Sequence, residues 1–216
     1  MYIIGIGGLS GSGKSSVSRA ILERFPGKVA ILEHDMYYHS RKNRPVIHNF
    51  DHPDALETEL LISHIHALQS HKAIERPIYD FKISDRIERT ERIEPLPIVI
   101  VEGLLIFCIP ELMPLFDLRI YVDISLDIAI IRRIKRDHMD RGRSVESIIH
   151  QYERTVREAA INLVQPSRYL ADIIIPQGVN NRVGLEVLCG KINDLLSSGQ
   201  VSGLIKPHVV SPISLD

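Results

Sequence analysis

Gly8-Leu9-Ser10-Gly11-Ser12-Gly13-Lys14-Ser15 sets two glycines, a lysine and a hydroxyl at the spacing G-x-x-x-x-G-K-[ST], a pattern suited to holding a polyphosphate. Glycines let the backbone fold so that successive N–H groups point inward, and a helix opening near Lys14 adds its positive dipole end. On this reading Gly8, Ser10, Gly11, Ser12, Gly13, Lys14, Ser15 and Ser16 contact a nucleoside triphosphate. Lys14 reaches the β- and γ-phosphates, and the Ser15 hydroxyl holds Mg²⁺. The preceding apolar run Tyr2-Ile3-Ile4-Gly5-Ile6 supplies the strand this motif needs. A glycine-rich strand-to-helix turn without a ligand is the competing structural reading.

Such a site needs an acid on the far side of the γ-phosphate. Ile98-Val99-Ile100-Val101-Glu102-Gly103 offers one at the carboxyl end of an apolar strand, where open α/β sheets bind ligands. Glu102 can reach Mg²⁺ or its waters there, or be an ordinary strand-end acid. Asp35, in Glu33-His34-Asp35-Met36-Tyr37-Tyr38, follows another apolar strand. It can orient an acceptor hydroxyl and take its proton, or simply cap a helix or turn.

Residues 131–143 carry six Lys or Arg in thirteen positions. At about 100° per residue, Ile130, Ile131 and Ile134 share one arc of a helix and Arg132, Arg133 and Arg136 another, which predicts one packed face and one cationic face. Gly142 breaks the helix between Arg141 and Arg143, as a flap over transferring phosphates requires. The alternative is a solvated surface helix neutralised by Asp137 and Asp140.

The elements that position these residues follow from β-branched runs at Ile3–Ile6, Val29–Leu32, Ile98–Val101, Ile120–Val122 and Ile173–Ile175, which read as buried parallel strands. Between them fall helical segments at Ser15–Phe25, Leu56–Gln69, Asp127–Met139, Val145–Leu163 and Val183–Leu196. This rhythm predicts a three-layer α/β fold. Residues 73–94 alternate apolar and charged positions and predict an antiparallel hairpin projecting from the sheet. Residues 1–198 form one domain, with a flap over 132–143 and a flexible tail over 199–216.

Composition sets the outer bounds. The 216 residues suit one domain with a full core, and 26 basic against 27 acidic residues, net −1, leave no global field for nucleic acid or an anionic membrane. Cys108 and Cys189 lie among apolar neighbours without a C-x-x-C, which predicts reduced core thiols in a cytoplasmic protein. No signal peptide or membrane span is expected. The ten histidines include no H-E-x-x-H, and His64 and His66 cannot share a helix face, so no histidine metal site is expected.

Taken together, these segments resemble the uridine (uridine-cytidine) kinases of the P-loop kinase superfamily. The resemblance runs from Ile3 to about Leu196. It rests on the glycine loop, His34-Asp35 with Tyr37-Tyr38, Asn49-Phe50-Asp51-His52-Pro53-Asp54-Ala55, Pro77-Ile78-Tyr79-Asp80-Phe81, and Val101-Glu102-Gly103. Further matches are Arg132-Arg133-Ile134-Lys135-Arg136-Asp137, Arg141-Gly142-Arg143, Gln151-Tyr152, Thr155-Val156-Arg157 and Pro166-Ser167 followed by Tyr169–Pro176.

The resemblance implies a P-loop NTPase fold and transfer of a phosphoryl group from ATP or GTP, with Mg²⁺, to the 5′-hydroxyl of uridine or cytidine. Asp35, Lys14 and Arg136 are then catalytic, and Ser15, Asp35 and Glu102 surround the metal. Phe50, Asp51, Tyr79, Phe81, Ser84, Arg133, Arg143 and Gln151 hold the nucleoside or the phosphate side. At Ser84 such kinases usually carry a histidine that contacts the base edge. They are typically cytosolic homotetramers in pyrimidine salvage. Two other functions fit parts of the pattern: a kinase of a small polyol or sugar phosphate, like phosphoribulokinase, and a nucleotide switch. A switch calls for an N-K-x-D guanine motif, which the chain lacks.

Overall fold

The computed structural model describes residues 1–42 and 49–198. The tail expected at 199–216 lies outside them. Five parallel strands, β1 (Tyr2–Gly7), β2 (Val29–Glu33), β5 (Ile98–Gly103), β6 (Leu118–Asp123) and β7 (Ile173–Pro176), form one sheet in the order β2-β5-β1-β6-β7. β1 and β5 are buried at every position, which explains their unbroken apolar runs.

The pleat divides the side chains into two cores. Tyr2, Ile4, Ile6, Ile98 and Ile100 meet α1 (Lys14–Arg24) and α6 (Arg182–Ser197) through Val17, Ile21, Leu188 and Ile192. Ile3, Val99 and Val101 face the other way. They share a core with Leu61, Ile65 and Leu68 of α2 (Thr58–Gln69) and with Phe107 and Phe116. Cys189 is buried in the first core, whereas Cys108 is only partly buried, so it is not the core thiol expected; both are free.

The predicted hairpin is present as β3 (Ile74–Asp80) paired antiparallel with β4 (Asp85–Ile93). Its base is tied to the sheet by Arg76, which pairs with Glu33 and Glu91 and donates to the Ile31 carbonyl at 3.2 Å. The segment expected as one helix over 145–163 is helical throughout but not uniformly α. α4 (Val145–Gln151) continues into a π-helical stretch (Tyr152–Val156), then α5 (Arg157–Ala159), then a second π-helical stretch (Ala160–Val164).

The basic helix α3 (Leu126–Met139) departs from its expected facing. Its buried stripe is Ala129, Arg133 and Asp137, whereas Ile131 is 48% exposed and Ile130 and Ile134 are only half-buried. Spacings of four residues put those three on one face. Burial of Arg133 is possible because buried carboxylates, Asp51 and Asp137, meet it there.

Candidate active site

The carboxyl ends of β2, β5 and β1 lie side by side, with Glu33 opposite Glu102 and Ile6 opposite Glu102 in register. This places the loop after β1, the turn after β2 and the acid of β5 on one edge of the sheet. The loop passes from Gly8 to Gly13 into α1, whose first turn has no acidic residue and whose cap, left-handed Gly13, offers no side-chain acceptor. The first N–H groups of the helix are therefore available to an anion. Gly11 is required for a steric reason: at φ +85 a Cβ would stand 2.5 Å from the Ala129 carbonyl oxygen. Gly8, at φ +142, packs as tightly on the Val122 carbonyl. Ser12 is buried within the loop, and Ser16 is exposed in the first turn of α1.

Lys14 and Ser15 project into a cavity of about 230 Å³. The Lys14 ammonium donates to the Leu9 carbonyl at 3.0 Å. Desolvation lowers its pKa, opposed by the negative charges of Glu102 and Asp35. The Ser15 hydroxyl donates to Glu102 Oε1 at 2.7 Å, while Glu102 Oε2 is buried without a hydrogen bond. Burial raises the Glu102 carboxyl, and Lys14 and Ser15 hold it down. A hydroxyl oxygen, an orphaned buried carboxylate oxygen and the nearby Asp35 make an oxygen donor set that fits Mg²⁺. No group of three or more His, Cys, Asp or Glu among the described residues is placed to cage a metal.

Asp35 stands in the short 3-10 turn His34–Tyr37 and lines the same cavity. Beneath it His34 is fully buried, and desolvation lowers its pKa to about 4, so the imidazole is neutral. The opposite wall is cationic. Arg133, Arg136, Arg141 and Arg143 line the cavity, and Arg136 donates to the Ser10 hydroxyl at 3.3 Å. Gln151 accepts from Arg143 at 2.6 Å and from Arg133 at 3.3 Å. Asp51, buried, faces Arg133 at 3.8 Å; burial raises its carboxyl and Arg133 opposes the rise.

The remaining wall is aromatic. Tyr38 packs on Tyr79 with centroids 5.1 Å apart and on Phe50 at 5.6 Å, and Tyr79 packs on Phe81 at 5.2 Å. Ser84, at φ +50 in the hairpin turn, reaches the same space. The Arg141 guanidinium lies 4.0 Å above the Phe81 ring, joining the cationic wall to the aromatic one.

Of the residues expected at a site, Ser10, Lys14, Ser15, Asp35, Phe50, Asp51, Tyr79, Phe81, Ser84, Glu102, Arg133, Arg136, Arg143 and Gln151 share this cavity. Gly8, Gly11, Ser12, Gly13 and Ser16 do not line it. The cavity also takes in Tyr38, Leu104 and Arg141, which the sequence reading did not assign to the site. For Arg141 the signal was present, since it flanks Gly142 as Arg143 does.

A glycine loop opening into a helix at the edge of a parallel sheet, with a Ser–Glu pair and an arginine arc facing it, defines a P-loop kinase, a phosphotransferase. The Phosphoribulokinase / Uridine kinase family matches residues 3–184, and the chain belongs to that family. It is 41% identical over 202 residues to a uridine kinase of Oceanobacillus iheyensis, covering 91% of this chain and 96% of the relative. It is 45% identical over 200 residues to a uridine kinase of Streptococcus mutans, covering 90% and 96%. Among solved structures, phosphoribulokinase from Rhodobacter spheroides is alike in fold, with a TM-score of 0.58 and 18% identity over 81% of this chain and 69% of that one. No helix among the described residues is long and apolar enough to cross a membrane.

Proposed function

We infer that the protein transfers the γ-phosphoryl group of ATP or GTP to the 5′-hydroxyl of uridine or cytidine. The observation that carries this reading is one cavity in which Asp35 faces the Lys14/Ser15–Glu102 group on one side and an aromatic and Asp51 wall on the other. The aromatic wall of Tyr79 and Phe81 holds a pyrimidine, and Asp51 holds the ribose hydroxyls. The acceptor hydroxyl then points at Asp35, which takes its proton as the O5′–P bond forms and the bond from Pγ to the departing nucleoside diphosphate breaks. Lys14 and the arginines stabilise charge on the transferring oxygens. Ser15, Glu102 and Asp35 would hold Mg²⁺, which would supply neutralisation of phosphate charge.

The relatives named above are uridine kinases at 41% and 45% identity, which favours a nucleoside over the sugar phosphate of the phosphoribulokinase branch. The deciding assay supplies ATP and Mg²⁺ with uridine, cytidine or ribulose 5-phosphate and identifies the product by mass. UMP and CMP are expected. Turnover of ribulose 5-phosphate alone would reverse the assignment. A cytoplasmic homotetramer belongs to the same proposal, and light scattering of the purified protein tests the subunit count.

A further inference from the structure

We propose that Asp137 is a positioning residue that gathers Arg133, Arg136, Arg141 and Arg143 into the arc receiving the transferring phosphoryl group. Its carboxylate is completely buried and does not line the cavity, so it touches neither substrate. All four guanidiniums nevertheless converge on it. Arg136 is 2.8 Å away, Arg141 3.2 Å, Arg143 3.6 Å and Arg133 3.7 Å. Among the described residues, Arg136, Arg141 and Arg143 form their ion pairs with Asp137, and only Arg133 has a second partner, Asp51.

The chain makes this convergence local. Arg133 and Arg136 precede Asp137 on α3, while Arg141 and Arg143 follow the helix end on either side of Gly142, whose φ of +68 turns the backbone back. The Arg143 N–H also donates to the Asp137 carbonyl at 3.1 Å, so one residue anchors the flap by both main chain and side chain.

Four cations converging in a partly dry space repel one another unless an anion stands among them. Asp137 supplies that anion before any phosphate arrives, which lets the arc exist in advance of the reaction. One carboxylate cannot neutralise four guanidiniums, so a net positive field remains for the phosphoryl oxygens. The bonding is correspondingly loose: Arg136 donates to Oδ1 at 2.9 Å, and Oδ2 is buried with no hydrogen bond. The arginines are thus held in place by charge while their donors can turn to a ligand.

The inference rests on the phosphoryl-transfer reading. Wild-type turnover of uridine tests that reading, and the variant-to-wild-type ratio tests Asp137, so the two failures are told apart. Asp137→Asn keeps the side-chain size and removes the charge. Displaced guanidiniums should lower kcat by about 10²-fold, the effect of misplacing catalytic groups by about 1 Å. Nucleoside KM should change less than about threefold, because the lost interaction belongs to the transition state. A merely structural role would instead lower the melting temperature and leave kcat per titrated active site intact. Folded Asp137→Asn protein with kcat within about twofold of wild type overturns the proposal. If Asp137→Asn does not fold, Asp137→Asn/Arg143→Gln removes a cation with the anion and is compared with Arg143→Gln. A further fall of about tenfold supports the proposal, and equal kcat values overturn it.

Discussion

Replacing Arg133 by methionine should unfold the protein more easily, and by an amount that depends on pH. Arg133 resembles a solvent-facing flap charge in the sequence, but its side chain is 9% exposed and lies between two buried carboxylates, Asp51 at 3.8 Å and Asp137 at 3.7 Å. Removing one partner of a buried ion pair costs about 3–5 kcal/mol, because the other charge stays buried. Two features reduce that figure. Both contacts are long, and Asp137 keeps Arg136 at 2.8 Å. The net loss is therefore mainly the compensation of Asp51, about 2–3 kcal/mol, or roughly 4–12 °C in Tm for a chain of this size.

The pH dependence follows from Asp51. Burial already raises its carboxyl above the unfolded value, and Arg133 is the main influence holding it down. A carboxyl raised on folding costs stability once pH exceeds the unfolded value, and taking Arg133 away raises it further. The deficit of Arg133→Met should be full near neutral pH and shrink as Asp51 becomes protonated. Urea unfolding of both proteins, from neutrality down to about pH 5, measures the difference and cancels most other titrations. His34, neutral in the fold with a pKa of about 4, costs both proteins stability as the unfolded imidazole takes up a proton below about pH 6.5, and that cost cancels in the difference. A loss below about 0.5 kcal/mol at neutral pH, or one that grows on acidification, would refute the reasoning.

Three further substitutions probe the site. Lys14→Ala should lower kcat by on the order of 10²-fold or more, and near wild-type turnover of uridine would remove the phosphate-loop role. Asp35→Asn keeps the shape but cannot accept the proton, so kcat should fall on the order of 10²-fold or more while nucleoside affinity by calorimetry barely moves. A weaker nucleoside affinity with unchanged kcat would make Asp35 a binding residue instead. Ser84→His should lower KM for uridine or cytidine without much change in kcat, since the left-handed backbone there tolerates histidine and a longer polar side chain reaches the base edge directly. If steady-state kinetics show strong selectivity in the wild type that this change leaves untouched, the base is read by residues other than Ser84.

What could be read in advance was whatever depends on residues adjacent in the chain. The glycine loop, the strand-end position of Glu102 and the hairpin all follow from local spacing and alternation. The facing of α3 is not legible in this way, because apolar periodicity ranks isoleucine above arginine for burial and does not register that Arg133 and Asp137 pair on the inner face. Asp51 lies far along the chain from Arg133, so that pairing is not legible locally. The π-helical stretches after Gln151 likewise carry no periodic signature that distinguishes them from an ordinary helix.

The hairpin is fastened to the turn that carries Asp35. Arg86, on β4, donates to the Tyr38 carbonyl at 2.7 Å and the Tyr37 carbonyl at 3.0 Å, and pairs with Glu57 at 2.7 Å. The Tyr79 N–H donates to Met36 Sδ at 3.5 Å across the same seam. On the function proposed above, the surface that would hold the acceptor and the carboxylate that would take its proton therefore meet along one hydrogen-bonded seam. Arg76 fastens the base of the same hairpin to β2, so an acceptor seated on the aromatic wall would meet Asp35 at a distance set by the fold rather than by closure.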